Sequence, residues 1–262
     1  MKPPLHFTRF FLQLLAFGTL LACQGVSRLQ AQAVYDFVPI TGTPTWNSTV
    51  NWNPATVPNA AGVIANITSN ITAATTVNLD GARTVGMLFI GDPTSSHVFT
   101  VAAGSGGSLV FDNSAYGYAL LSKTNGTQTD VISAPITLAS NLNINTNVGT
   151  NGVRLNISGA ITGNGYKVNI MGYSGVTFTG STANTYDGLT TVYGRGVDDS
   201  GTPTLVLQKT DGVDAIKGNL QIGNANMGGN GRAWSISVPA TRSTTTPSSR
   251  LTRYLATTPT SK

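Results

Sequence analysis

Glutamate is absent from this chain of 262 residues, so every one of its ten acidic side chains is aspartate. Glu is a strong helix former, whereas Asp, Asn, Ser and Thr favour turns and caps, and a chain so composed is poorly suited to long surface helices. Cysteine occurs once, at Cys23, which excludes an internal disulfide. Histidine occurs twice, at His6 and His97, too rarely for a zinc site of Cys and His once the amino-terminal segment is set aside. Charged residues are only 10% of the total, a level that fits either a membrane protein or a secreted β-structure. Past residue 22 no apolar run approaches the ~20 residues that a membrane helix needs, which favours the second class.

The formal charge of +5 is unevenly placed. Residues 34–231 hold seven Lys and Arg against all ten Asp, so the basic excess comes from the two ends. The body has no basic stripe, and nucleic acid is excluded as a partner on that ground.

What the chain does contain is a recurring phrase of apolar, polar, apolar, then a small residue. It appears as Leu142-Asn143-Ile144, Leu155-Asn156-Ile157, Val168-Asn169-Ile170, Val176-Thr177-Phe178 and Leu220-Gln221-Ile222, with Leu205-Val206-Leu207 as an all-apolar form. Strand side chains alternate faces, so each phrase sends two apolar groups inward and its middle residue outward. Short strands at regular spacing, separated by Gly, Asn and Ser, imply an all-β fold. Quasi-repetition at this scale implies a right-handed parallel β-helix, a solenoid whose coils bury their faces only against their neighbours. Earlier strands are expected at Val63-Ile64, Thr76–Leu79, Met87–Ile90, Val98–Val101 and Leu109–Phe111, and later ones at 119–122, 131–138, 142–145, 153–158 and 167–171. With roughly 20 residues per coil, residues 34–231 would make nine or ten coils, a rod of about 45 Å at the usual strand spacing.

The first 33 residues read as a leader. Lys2 and Arg9 precede the mostly apolar run Phe10–Ala22, and Ala31-Gln32-Ala33 supplies the small residues of a signal-peptidase site after Ala33. Leu20-Leu21-Ala22-Cys23 resembles a lipobox, in which Cys23 would be lipidated and become the first mature residue; an uncleaved anchor is the third reading. All three export the chain, to the secreted space or the cell surface, with no transmembrane helix in the mature part.

Trp46 and Trp52 stand six residues apart and are the first two tryptophans after the leader. They could line a sugar-stacking face, with glycan as the contact of these two rings. Capping the open end of the solenoid core, as a terminal repeat must, is the favoured reading, because this is the first ordered stretch and no further Trp occurs before Trp234.

The stretch Gly175-Val-Thr-Phe-Thr-Gly180, Asn184-Thr185-Tyr186-Asp187-Gly188, Thr190-Thr191-Val192 and Leu205-Val206-Leu207 resembles the autotransporter-associated β-strand repeat. The Trp–Trp–Val57-Pro58-Asn59 block, Leu79-Asp80-Gly81 with Val85-Gly86, and Ile132-Ser133-Ala134-Pro135-Ile136 resemble the amino-terminal part of exported bacterial proteins that carry it. The resemblance spans most of residues 34–231, is densest at 175–223, and departs from the family pattern by the insertion Arg195–Gly201. It implies a β-helical, passenger-like protein of the bacterial cell surface or outer membrane, without an enzymatic activity.

From residue 232 the composition turns to Ser, Thr, Arg and Pro, which reads as a disordered carboxyl tail. The peptide Pro239–Ser249 also permits codons that, read two bases later, spell Asn-Gln-Ile-Asp-Asp-Asp-Ala-Val, a phrase found in this family just after the strand corresponding to Leu220–Gly223. A frame shift between Gly231 and Pro239 would explain it, and would remove any translocation domain that the native protein carries.

Candidate chemistry is sparse. Asp198-Asp199, with Arg195 upstream and Lys209 downstream, could supply two carboxylates for glycoside hydrolysis, or a Ca²⁺ site beside a base for lyase chemistry. Adjacent residues on a strand face opposite ways, so these serve only from a loop, and solvated turn residues are the plainer reading. His97 with Ser95 and Ser96 makes no triad by adjacency alone. The glycine-rich 104–107 and 228–231 open no helix and precede no Lys-Ser/Thr pair, so no phosphate cradle is expected. The sequence therefore implies a non-enzymatic scaffold or adhesive stalk that needs no cofactor, metal or catalytic residue, with polysaccharide or cell-surface glycan as its partner. A carbohydrate-active β-helix enzyme, or an inactive relative of one, is the alternative.

Overall fold

The computed structural model describes residues 31–40, 42–148, 152–193 and 205–223. All but Ala31 and Gln32 belong to one compact unit that begins at Ala33. Strand β1 (Val34–Phe37) precedes a short 3-10 turn at Thr49–Asn51 and β2 (Trp52–Asn53). There follow β3 (Ile64–Ile67), β4 (Thr75–Asn78), β5 (Ala82–Val85), β6 (Met87–Ile90), β7 (Phe99–Ala102), β8 (Ser108–Phe111), β9 (Ala119–Lys123) and β10 (Asp130–Ile132). The rest are β11 (Ile136–Leu138), β12 (Leu142–Thr146), β13 (Val153–Ile157), β14 (Ile161–Thr162), β15 (Val168–Gly172), β16 (Gly175–Gly180), β17 (Thr190–Val192), β18 (Leu205–Lys209) and β19 (Leu220–Ile222).

These strands stack into three sheets, ordered β2-β1-β3-β6-β9-β12-β15-β17-β19, β4-β7-β10-β13-β16-β18 and β5-β8-β11-β14. Every pairing is parallel except β1 with β2. The chain thus visits the sheets in rotation and closes about seven turns of a β-solenoid. Right-handed winding is the sense that nearly all parallel crossovers take.

The turn count corrects the expected nine or ten. Paired residues of the first sheet lie between 22 positions apart, Val168 with Thr190, and 33 apart, Met87 with Leu120. Corners and loops lengthen the coil beyond its strands, so the stack is about 35 Å long rather than 45 Å. Two elements also depart from the expected set. The run 131–138 breaks into β10 and β11, because Pro135 cannot donate to a ladder and the chain turns there from the second sheet into the third. Residues 82–85, to which the sequence reading assigns no strand, form β5.

The inward columns make the core. In the first sheet Ala65, Leu88, Leu121, Ile144, Ile170 and Val192 stack in register, and in the second Val77, Val101, Ile132, Ile157 and Phe178 do the same, all buried. The apolar positions of the recurring phrase fill these columns as expected, most completely in the middle coils.

The first edge of each sheet is closed by the 44–59 segment. β2 pairs antiparallel with β1, Thr45 bridges to Asn78 at the edge of β4, and Asn59 Oδ1 accepts the Thr84 amide of β5 at 2.8 Å. Beneath this lid Trp46 and Trp52 pack together with ring centroids 4.6 Å apart, and Trp52 meets Phe37 edge-on at 5.6 Å. Their indole N–H groups donate to Pro58 O and Trp46 O, so no polar handle is left unpaired.

The Asn184–Thr190 phrase has a structural account of its own. The Asn184 side chain accepts the Ile161 amide of one coil at 2.9 Å and donates to the Ala215 carbonyl of the next at 2.8 Å. Tyr186 is buried, with its hydroxyl 2.7 Å from Thr190 Oγ1, and burial pushes the phenol up to about 12 despite that bond. At Gly188 a Cβ would stand 2.0 Å from the Tyr166 carbonyl, so this close coil-to-coil approach requires glycine.

Gly188→Ala is expected to lower stability by about 1–3 kcal/mol, read as a lower urea midpoint with an unchanged slope. Thr185→Ala, whose side chain is exposed, should shift it by less than about 0.5 kcal/mol.

Candidate functional site

The chemistry-bearing side chains gather at the corner where the first sheet hands over to the second. Asp92, two residues beyond β6, is fully buried there. Its Oδ1 accepts from the Thr94 amide (3.1 Å) and hydroxyl (2.9 Å). Oδ2 accepts from the Ser96 amide (3.0 Å) and hydroxyl (2.8 Å) and the His97 amide (3.0 Å). Burial alone would raise this carboxyl; the bonds from Ser96, His97 and Thr94 outweigh it and hold the pKa at about 2.

One coil further on, Lys123 and Asp130 face each other across the same corner, both side chains 0% exposed, with Nζ 2.5 Å from Oδ2. Asp130 Oδ1 accepts the Phe99 amide at 2.8 Å. Burial raises the Asp130 carboxyl above its ordinary value, while the Lys123 ammonium and the Phe99 amide pull it back. Pro39, Ile40, Asn70–Ala73 and Thr75 line an open cleft of about 270 Å³, whose walls carry no titratable side chain.

Ser96 and His97 do meet, with Oγ 2.7 Å from Nδ1, yet the arrangement is not a triad. Nδ1 also lies 3.1 Å from the Ile71 carbonyl, which can only accept, so Nδ1 carries the proton. The Ser96 hydroxyl is given to the Asp92 carboxylate, and the protonated Nδ1 does not face it as a base. Ser95 contributes only a left-handed turn, with φ of 61°.

Lys209 donates to the carbonyls of Thr179 (2.9 Å) and Thr182 (2.8 Å), a structural role, and burial lowers its pKa. Arg195, Asp198 and Asp199 lie outside the described residues, as do Cys23, the run Phe10–Ala22, the glycines 228–231 and the tail 232–262. Ala33 is described and exposed, immediately before β1. Among the described residues no group of three or more His, Cys, Asp or Glu side chains could hold a metal ion.

The expected glycan contact of Trp46 and Trp52 needs correction. Their exposures are 0% and 2%, so neither ring offers a face to a sugar, and both serve the capping role that the sequence favoured. Sequence reasoning also missed the Lys123–Asp130 pair. The signal was strand parity: Lys123 stands two residues after the inward Leu121, and Asp130 two before the inward Ile132.

No protein-family model, curated protein or solved structure matches this chain.

Asp92 predicts an acid limit to stability. The unfolded chain takes up this proton near the ordinary value of 3.8, the folded one only near 2. The contribution is therefore complete above about pH 4 and is lost as pH falls towards 2. In Asp92→Asn, thermal midpoints recorded from pH 5 to pH 2 should start lower and fall less steeply. Trp46→Ala should cost about 3–5 kcal/mol, measured by denaturant unfolding at neutral pH.

Proposed function

We propose that this chain is an exported, non-enzymatic, passenger-like solenoid that serves as a surface scaffold or adhesive stalk and contacts glycan through a flat uncharged face. The observation that carries this reading is the outward column of the second sheet. Thr76, Thr100, Val131, Asn156, Thr177 and Val206 follow one another in register, one per coil, with no charge among them; all are half-exposed except Thr177, which is buried. Beside it Thr179 Oγ1 donates to Asn156 Oδ1 at 2.8 Å, so the ladder holds its hydroxyls and amides at fixed spacing. Neutral donors and acceptors repeated along a rigid rod suit a long neutral polymer better than a small ligand. Export is supported by the leader at residues 1–33, and the passenger-like reading by the resemblance to the autotransporter-associated repeat. No helix among the described residues is long and apolar enough to cross a membrane.

Retention on immobilised polysaccharides is the test. Saturable binding without released product is expected, weakened severalfold by Thr76→Lys with Thr100→Lys, both half-exposed outward positions. Absence of retention would sink the glycan contact and leave a scaffold. Release of oligosaccharide in the presence of Ca²⁺, abolished by Asp198→Ala, would establish the carbohydrate-active alternative instead. Terminal sequencing of the exported chain should begin at Val34, or at a lipidated Cys23 if the lipobox is read.

A further inference from the structure

The Lys123–Asp130 pair plays no part in that function, and its setting suits a reaction as well as an ion pair. Lys123 occupies an inward column of the first sheet, between Ile90 and Thr146 of the adjacent coils. Asp130 occupies one of the second sheet, beside Phe99 and in register with Leu155. A core of this kind penalises both charges. Passing one proton from the ammonium to the carboxylate relieves the penalty and leaves a neutral amine against a carboxylic acid. Burial and the nearby Asp92 both raise the Asp130 carboxyl in that direction, although burial is the larger cause and the Lys123 ammonium opposes it.

We propose that Lys123 and Asp130 condense into an intramolecular isopeptide bond that staples β9 to β10. The free amine of Lys123 attacks Asp130 Cγ, and a C–N bond forms. Oδ1, already bonded to the Phe99 N–H at 2.8 Å, carries the charge of the tetrahedral stage, as an oxygen does in an oxyanion hole. The Cγ–Oδ2 bond then breaks. Oδ2 leaves as water, with the proton first passed to the carboxyl and one of the two remaining on nitrogen. The products are a secondary amide and one water, and no oxidant, metal or co-reactant is consumed. Such condensation is unfavourable between free groups in water. Here the reactants are fixed in contact, where effective concentrations reach ~10⁵–10⁸ M, in a core that excludes the water needed for the reverse step.

Tryptic mapping of the full chain decides the matter. The chain is purified with cooperative unfolding confirmed, then denatured and digested. Trypsin cuts after Arg83 and Arg154, and after Lys123 only if its amine is free. The expected product is one fragment, Thr84–Arg154, lighter than its sequence by one water. Lys123→Arg keeps the cation but supplies no attacking amine, and should give Thr84 to position 123 and Thr124–Arg154 at full mass. Asp130→Asn has no carboxylate to take the Lys123 proton, and should also give both fragments at full mass. Cleavage after Lys123 with both fragments at full mass, in the folded unaltered chain, would overturn the proposal and leave an ordinary buried ion pair.

Discussion

Each strand of this solenoid can satisfy its backbone and bury its inward side chains only against the coil before it and the coil after it. That constraint governs the rest. Within the stack it is met at every rung by the parallel ladders, but a first coil has no predecessor. Its open N–H and C=O groups would form three adjacent sheet edges, the kind of surface that recruits other chains. The 44–59 segment answers all three at once, with an antiparallel strand, a single bridge and an asparagine side chain. Its two indoles lie across the end of the core, which is why residues so rich in apolar area can sit so near the start of the body and still be buried.

The same constraint explains where polar groups enter the core. The charged ones, Asp92, Lys123 and Asp130, enter at the corner between the first and second sheets, while Asn113 and Ser140 enter where the chain leaves the third and Asn184 between β16 and β17. Asp92 is tolerated because five donors from its own turn converge on it, so burial costs less than those bonds return. Lys123 and Asp130 sit deeper, in columns that carry Ile, Leu and Phe in neighbouring coils. Each is acceptable only because the other is there, and because the Phe99 amide takes the second carboxylate oxygen.

Much of this was legible in the sequence, and the limits have physical causes. The period-2 phrases at 142–144, 155–157, 168–170 and 176–178 became strands with their apolar members inward, because alternation is a local property of the chain. Coil length was not legible, since parallel pairing is remote in sequence and depends on loops such as those around Asp92 and Tyr116, which stretch one coil to 33 residues. The indoles of Trp46 and Trp52 suit a sugar face or a core by their chemistry; their place in the first ordered stretch favoured the core, and their burial puts them there. The buried pair was hidden differently. Lys and Asp at strand ends look like solvated termini unless the parity of Leu121 and Ile132 is carried through to them.

The repeat phrase itself now has a physical reading that bears on how far any resemblance can be taken. Asn184 fastens one coil to the next on both sides, Tyr186 fills the core where the third sheet has given way, Gly188 permits contact with the Tyr166 carbonyl, and Thr190 closes on the phenol. Each of these four positions is thus accounted for by stacking. A chain under selection only to keep its coils together would hold these residues and let the outward ones drift. A match to this phrase therefore reports architecture, and whatever distinguishes one such solenoid from another in binding must reside in the outward columns and in the loops that the corners carry.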